Sequence, residues 1–274
     1  MPIGKCPLCL EKRTLIRSHL APAALYNLCR TPESEPVVVT QNVVMQSSTQ
    51  CQDYVLCREC DNSFSKNGEN WVLPLLAKSD GSFPFYDILV KCPPDVVDGD
   101  SALFAAARNP DIDVANLTHF AMGIFWKASV HSWSGERSDT LIDLGKYGEG
   151  VRRFLNAEGR FPEHMALIVA VSPPPLLPSF NMPYRGSATE FLNFLFHVPG
   201  INFALDVGNL VSATIKKMCF VSNHLHPIVL TKLSGTNLEI FKGVAAKAHK
   251  ARNLLRYMNE SKEFAEYLKK RKGE

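Results

Sequence analysis

The chain has no long apolar run. None of its 274 residues lies in an uninterrupted apolar stretch near the roughly 18–20 residues that cross a bilayer. The opening segment Met1–Thr14 lacks the apolar core of a secretion signal. A soluble, cytoplasmic protein with no membrane partner is therefore expected. A large charge of either sign is missing too. Its 30 Lys and Arg against 27 Asp and Glu leave a formal +3, far below the basic excess typical of dedicated nucleic-acid-binding domains. Low-complexity texture is also absent. With 46% hydrophobic residues, 16 Gly and 18 Pro, disordered and collagen-like classes are excluded, which leaves one or two compact domains.

The near-neutral total hides a gradient along the chain. Residues 1–70 carry seven cations and seven anions, whereas residues 242–272 carry ten Lys and Arg against three Glu, a local +7. The stretch between them is slightly acidic.

Cysteine is unevenly spread. Six of the eight, Cys6, Cys9, Cys29, Cys51, Cys57 and Cys60, fall in the first 60 residues. With no secretion signal, a disulfide framework is not expected. Cys6-Pro7-Leu8-Cys9 and Cys57-Arg58-Glu59-Cys60 share one spacing, and two C-x-x-C turns can close a tetrahedral structural zinc site. A redox pair is the competing reading, but neither pair sits in the strand-helix context of a thioredoxin. Cys29 and Cys51 read as small buried hydrophobes. The 47 residues between the pairs must hold structure of their own. A strand is expected at Thr14–Arg17, a helical turn at Ala23–Arg30, and two strands around a turn at Val37–Thr40 and Val43–Met45. A helix then carries Asp61, Asn62, Phe64, Lys66 and Glu69. Knuckle, hairpin, knuckle and helix in that order make a treble-clef arrangement.

Cys6-x-x-Cys9, Ser18-His19-x-x-Pro22 and Val55-Leu56-Cys57-x-x-Cys60-Asp61-x-x-x-x-Lys66 together resemble the zinc-containing HNH endonucleases. The family pattern runs C-x-x-C, D-H-x-x-P, N-L-x-x-L-C-x-x-C-[HN]-x-x-K, and the likeness covers roughly the first 72 residues. The resemblance implies His19 as the general base that deprotonates water, a role that suits an imidazole. It implies Asp61 as a ligand of a catalytic Mg²⁺ or Mn²⁺, and Gln52 in the place of the Asn that orients the base. Three positions depart from the pattern. Ser18 replaces a metal-binding Asp, Gln52 replaces Asn, and Asp61 replaces His or Asn. In an S-H-x-x-P variant of the family, Glu69 would share the metal with Asp61, since eight residues are about two helical turns and keep both on one face. The competing reading of His19 is a ring that braces its loop.

Residues 73–112, broken by Pro74, Pro84, Pro93-Pro94 and Pro110, read as a linking or wrapping segment. From 113 to 274 the pattern is α+β. Residues 115–131 form a helix apolar around most of its circumference, which makes it a core helix, and His119 and His131 on it read as core or rim histidines. A short helix Glu149–Asn156 carries Arg152-Arg153, which read as a solvated face or a phosphate contact. Apolar runs at Ala166–Val171, Phe191–Val198, Phe203–Val207 and Ile228–Leu233 have strand length. Pro199-Gly200 marks a hairpin turn between two of them. Asn223-His224-Leu225-His226 reads as a polar loop. Leu238–Lys272 is helical by composition, and Lys242, Lys247, Lys250, Arg252 and Arg256 make it basic. Together with Lys66 these would meet nucleic-acid phosphates, unless they only form a solvated face.

The expected architecture is thus α+β, a treble-clef zinc module followed by a domain with a small antiparallel sheet and a basic C-terminal helix. The resemblance implies a metal-dependent endonuclease acting on nucleic acid, DNA before RNA, in the setting of prokaryotic defence or restriction. Its C-terminal part would select substrate, protein partner or trigger. The rival is a non-catalytic zinc-dependent module that binds nucleic acid or protein.

Overall fold

The computed structural model describes residues 1–30, 36–39, 44–46, 49–133, 142–174, 176 and 178–231. The expected helix at Leu238–Lys272, with all five of its candidate phosphate contacts, lies outside the described residues. In chain order the elements begin with β1 (Ile3–Lys5), β2 (Lys12–His19) and α1 (Ala23–Leu28), followed by β3 (Val37–Val39), β4 (Val44–Gln46) and β5 (Gln52–Cys57). β1, β2 and β5 form a three-stranded antiparallel sheet in that order, and β3 pairs with β4.

The second knuckle opens a helical stretch. Cys57 caps α2 (Arg58–Phe64) in an extended conformation, with Glu59 and Asp61 in the first turn where the helix dipole favours anions. A π-helical turn, Ser65–Glu69, and α3 (Asn70–Val72) continue it. Residues 73–112 do more than link. They supply α4 (Pro84–Leu89), β6 (Val96–Asp98) and β7 (Ser101–Ala105). The prolines that suggested a linker sit at the starts of helices or in the short loops between elements, where proline is tolerated: Pro84, for example, opens α4.

After α5 (Val114–Val130) come α6 (Gly148–Leu155), β8 (Met165–Val171), β9 (Tyr184–Arg185), β10 (Leu192–Val198), β11 (Ile201–Val207), α7 (Ala213–Lys217) and β12 (Pro227–Thr231). Their sheet is larger than the small antiparallel one expected. Seven strands run in the order β6-β7-β12-β8-β11-β10-β9, antiparallel except where β12 lies parallel to β8. The β10–β11 hairpin turns at Pro199-Gly200 as expected. Gly200 has φ +89°, and a Cβ there would stand 2.3 Å from the Phe83 ring, so both conformation and space demand glycine.

Helix α5 is the centre of the packing. Asp113 caps it by accepting the Asn116 N–H at 2.9 Å. Leu117 through Ala128 is buried without a break, as a helix apolar on all sides must be. One side meets the large sheet, with Phe125 edge-on to Phe196 at 4.7 Å and Phe120 beside Phe203 at 6.1 Å. The other meets residues 58–72. A Cβ on Gly68 would fall 2.9 Å from the Phe120 backbone nitrogen, and one on Gly123 would fall 2.7 Å from the Phe64 ring. The two helical stretches touch because both crossing points lack side chains. A single hydrophobic core consequently runs from Cys6 and Leu8 through Phe64 and Trp126 to Ile228. No described helix is long and apolar enough to cross a membrane.

Gly68→Ala should destabilise the protein by about 1–3 kcal/mol, because the new methyl meets backbone that cannot swing aside. An unchanged urea midpoint would show that the crossing tolerates a side chain.

Candidate metal centre

The first knuckle is built by a tight turn between β1 and β2. Leu10 N–H donates to the Cys6 carbonyl at 2.9 Å and Cys6 N–H to the Glu11 carbonyl at 2.9 Å. To close the turn Leu10 takes φ +63°, the left-handed region that costs a side-chain-bearing residue roughly 1–2 kcal/mol. The second knuckle is the junction of β5 and α2. Together they place Cys6, Cys9, Cys57 and Cys60 so that all four sulfurs lie within 4.8 Å of one another, with Cys9 and Cys57 4.0 Å apart. A tetrahedron with metal–sulfur bonds of about 2.3 Å has edges of about 3.8 Å, so the four sulfurs fit one ion with small adjustments.

Their chemistry fits as well. Cys6, Cys57 and Cys60 are buried and Cys9 is half-buried. The hydrogen bond from Cys60 holds Cys6 down at about 4, while the same bond pushes Cys60 well above the ordinary thiol range. Burial pushes Cys57 up to about 11. Packed thiols that cannot all ionise alone are a donor set that a cation would convert to thiolates. Cys29, which burial raises to about 12, stands apart from the four, as expected.

Two cations from elsewhere in the chain hold this region. Arg152 of α6 is buried, and its Nη1 donates to the Leu8 carbonyl at 2.8 Å, inside the first knuckle. Its other nitrogens hold Glu149 and Glu158, which raise its pKa further. It is not the solvated face or phosphate contact expected from sequence. Lys127 of α5 is only 3% exposed and donates to the His19 carbonyl at 3.0 Å. Neither contact was foreseen. Lys127 had a visible signal, since it is the one Lys, Arg, Asp or Glu in the seventeen residues of α5.

The other candidate residues are placed as follows. His19 ends β2 half-buried, and its Nε2 is 2.8 Å from Gln50 Oε1. Gln50 thus holds the ring on one side, and Gln52 faces His19 across the β2–β5 ladder. That ladder slips between Ile16 and Arg17, and Ser18 Oγ accepts the Leu56 N–H at 3.3 Å. Ser18 is fully buried and spent on the backbone. Glu69 is held on both oxygens, by Lys127 Nζ at 3.6 Å and by the Ser65 hydroxyl at 3.1 Å. Asp61 is half-buried in the first turn of α2, and Lys66 is exposed on the π-turn. Among the described residues, the four cysteines are the one group of His, Cys, Asp and Glu close enough to share an ion. The resemblance implied that Asp61 and Glu69 share an ion; here Glu69 lies against Lys127. His131 reaches Asp53 at 3.0 Å, and His119 Nε2 meets the Leu155 carbonyl at 3.3 Å while its Nδ1 has no partner among the described residues. The 223–226 segment is a loop, in which His226 Nδ1 meets the Phe220 carbonyl at 2.6 Å.

Comparison of the chain with protein-family models, curated proteins and solved structures found no match.

Purified protein should carry one tightly bound metal ion per chain by elemental analysis, and Cys57→Ser should lose it. Because the knuckles share a core with the sheet, that loss should lower the melting temperature of the whole chain as one transition. Wild-type metal content in Cys57→Ser would remove the four-thiolate site. Leu10→Gly should raise stability by about 0.5–1 kcal/mol, since relief of the left-handed strain exceeds the roughly 0.5–1 kcal/mol entropic cost of glycine. An unchanged or lower urea midpoint would mean that the turn is not strained.

Proposed function

We propose that the four thiolates hold a structural zinc ion in a treble-clef module, and that this module supports an HNH-type endonuclease site. The reaction is metal-assisted hydrolysis of a phosphodiester in nucleic acid, DNA before RNA. His19 is the general base, and Asp61 the ligand of a hydrated Mg²⁺ or Mn²⁺. Mg²⁺ commonly binds through one or two carboxylates, waters and substrate phosphate, so a single free carboxylate suffices when substrate completes the shell. The ion would stabilise charge on the phosphoryl and leaving oxygens.

The observation that carries this reading is the hydrogen bond at His19. The His19 Nε2 lies 2.8 Å from Gln50 Oε1, so one ring nitrogen is held by a side-chain amide. A half-buried imidazole oriented through one nitrogen, with the second ring nitrogen left to face water, is the geometry that general-base catalysis uses. Lys66, exposed on the helical stretch that also carries Asp61, is a candidate phosphate contact. The cytoplasmic setting fits eight free cysteines.

A second reading, a non-catalytic binding module, is favoured by Ser18 and Glu69. One is buried against the backbone and the other is neutralised by Lys127, so two of the three positions that could ligate a catalytic ion are spent.

Wild-type protein with Mg²⁺ or Mn²⁺ should nick supercoiled plasmid. His19→Ala should lower the rate by roughly 10²–10⁴-fold, with the bound structural metal and the circular dichroism spectrum unchanged. Equal behaviour of the two proteins would leave the binding-module reading standing.

A further inference from the structure

We propose that Lys127 is the resident cation of Glu69, closing that carboxylate to a divalent ion, and that it positions the His19 end of β2. Lys127 enters from α5, 108 residues beyond His19 in sequence, and its ammonium is buried. A buried ammonium is retained only when its donors and charge are met. Here the His19 carbonyl accepts one N–H at 3.0 Å, the Glu69 carboxylate lies at 3.6 Å, and the Phe64 ring faces the charge at 5.0 Å. The second Glu69 oxygen is taken by Ser65. A divalent ion bound to Glu69 would place two positive centres against one carboxylate, and Lys127 has nowhere to withdraw. Its helix is enclosed by the large sheet on one side and by residues 58–72 on the other. Any catalytic ion at Asp61 therefore works without Glu69. Lys127 also ties the large-sheet part of the chain to the backbone of His19, so the packing of α5 sets where the imidazole stands. The positioning role rests on the endonuclease reading; the ion-pair role does not.

The test is a Mn²⁺ titration of the full chain, followed by electron paramagnetic resonance, together with plasmid cutting. Glu69→Gln should change the Mn²⁺ dissociation constant by less than about two-fold, whereas loss of a true ligand or its support typically costs roughly 10–100-fold. A loss of that larger size would overturn the ion-pair role. Lys127→Met removes a positive charge next to the Glu69 carboxylate and should gain Mn²⁺ affinity by roughly ten-fold or more, and Lys127→Met/Glu69→Gln should lose the gain. No gain in folded Lys127→Met would also overturn that role. If Lys127→Met fails to fold, Glu69→Gln alone decides it. In plasmid cutting, Lys127→Met should lower kcat by roughly ten-fold at little-changed KM, with Lys127→Arg recovering part of the loss. Wild-type kcat in Lys127→Met would overturn the positioning role. Failure of the wild type to cut would remove the endonuclease reading and the positioning role with it, while the Mn²⁺ arm still judges the ion pair.

Discussion

The close crossing of α5 with residues 58–72 is the contact on which the rest of the molecule depends. Gly68 and Gly123 remove the side chains that would hold the two helical stretches apart. Phe64 then fits among His119, Gly123, Trp126 and Lys127. Burying a large apolar side chain stabilises by about 1.5–3 kcal/mol, and this crossing buries Phe64, Phe120 and Trp126 together. It also brings two parts of the sequence that read as separate modules into one core, so neither can loosen without exposing the other.

The cysteine cluster is held in that frame from two directions. From its own side come the knuckle turn closed by Leu10 and the start of α2. From across the core comes Arg152, donating to the Leu8 carbonyl, while Lys127 donates to the His19 carbonyl at the far end of β2. Both cations are buried and both keep carboxylate partners, so their charge is balanced. Their work is to satisfy and fix backbone carbonyls, a use of Arg and Lys that a pattern search for phosphate contacts passes over.

Much of the local structure was legible. The β2 strand, the β3–β4 pair, the helix after Cys60, the buried helix at α5 and the Pro199-Gly200 hairpin all follow from periodicity and turn chemistry acting within a few residues. Residues 73–112 were misread because prolines at helix starts and in short loops look the same in sequence as prolines that break a chain. The size of the large sheet was missed because β7 and β12 are more than a hundred residues apart, and nothing local tells β7 which strand it will join. At the candidate site, Gln50 lies against the His19 ring and Lys127 against Glu69, two contacts that no local pattern signals. A tertiary contact sets which charge meets the carboxylate.

By itself the sequence determined the four-cysteine cluster, since two C-x-x-C turns need only their own spacing and a means of approach to converge. It also determined the mixed α+β class and the burial of α5, because hydrophobic periodicity is a local quantity. Tertiary structure alone decided which charges are spent and which are free. Ser18, Glu69 and Arg152 look in sequence like a ligand position, a metal carboxylate and a phosphate contact. In the fold they serve a backbone N–H, a buried ammonium and a knuckle carbonyl. The physical reason is that removing a polar group from water obliges it to find a partner, and the partner is chosen by where packing places it.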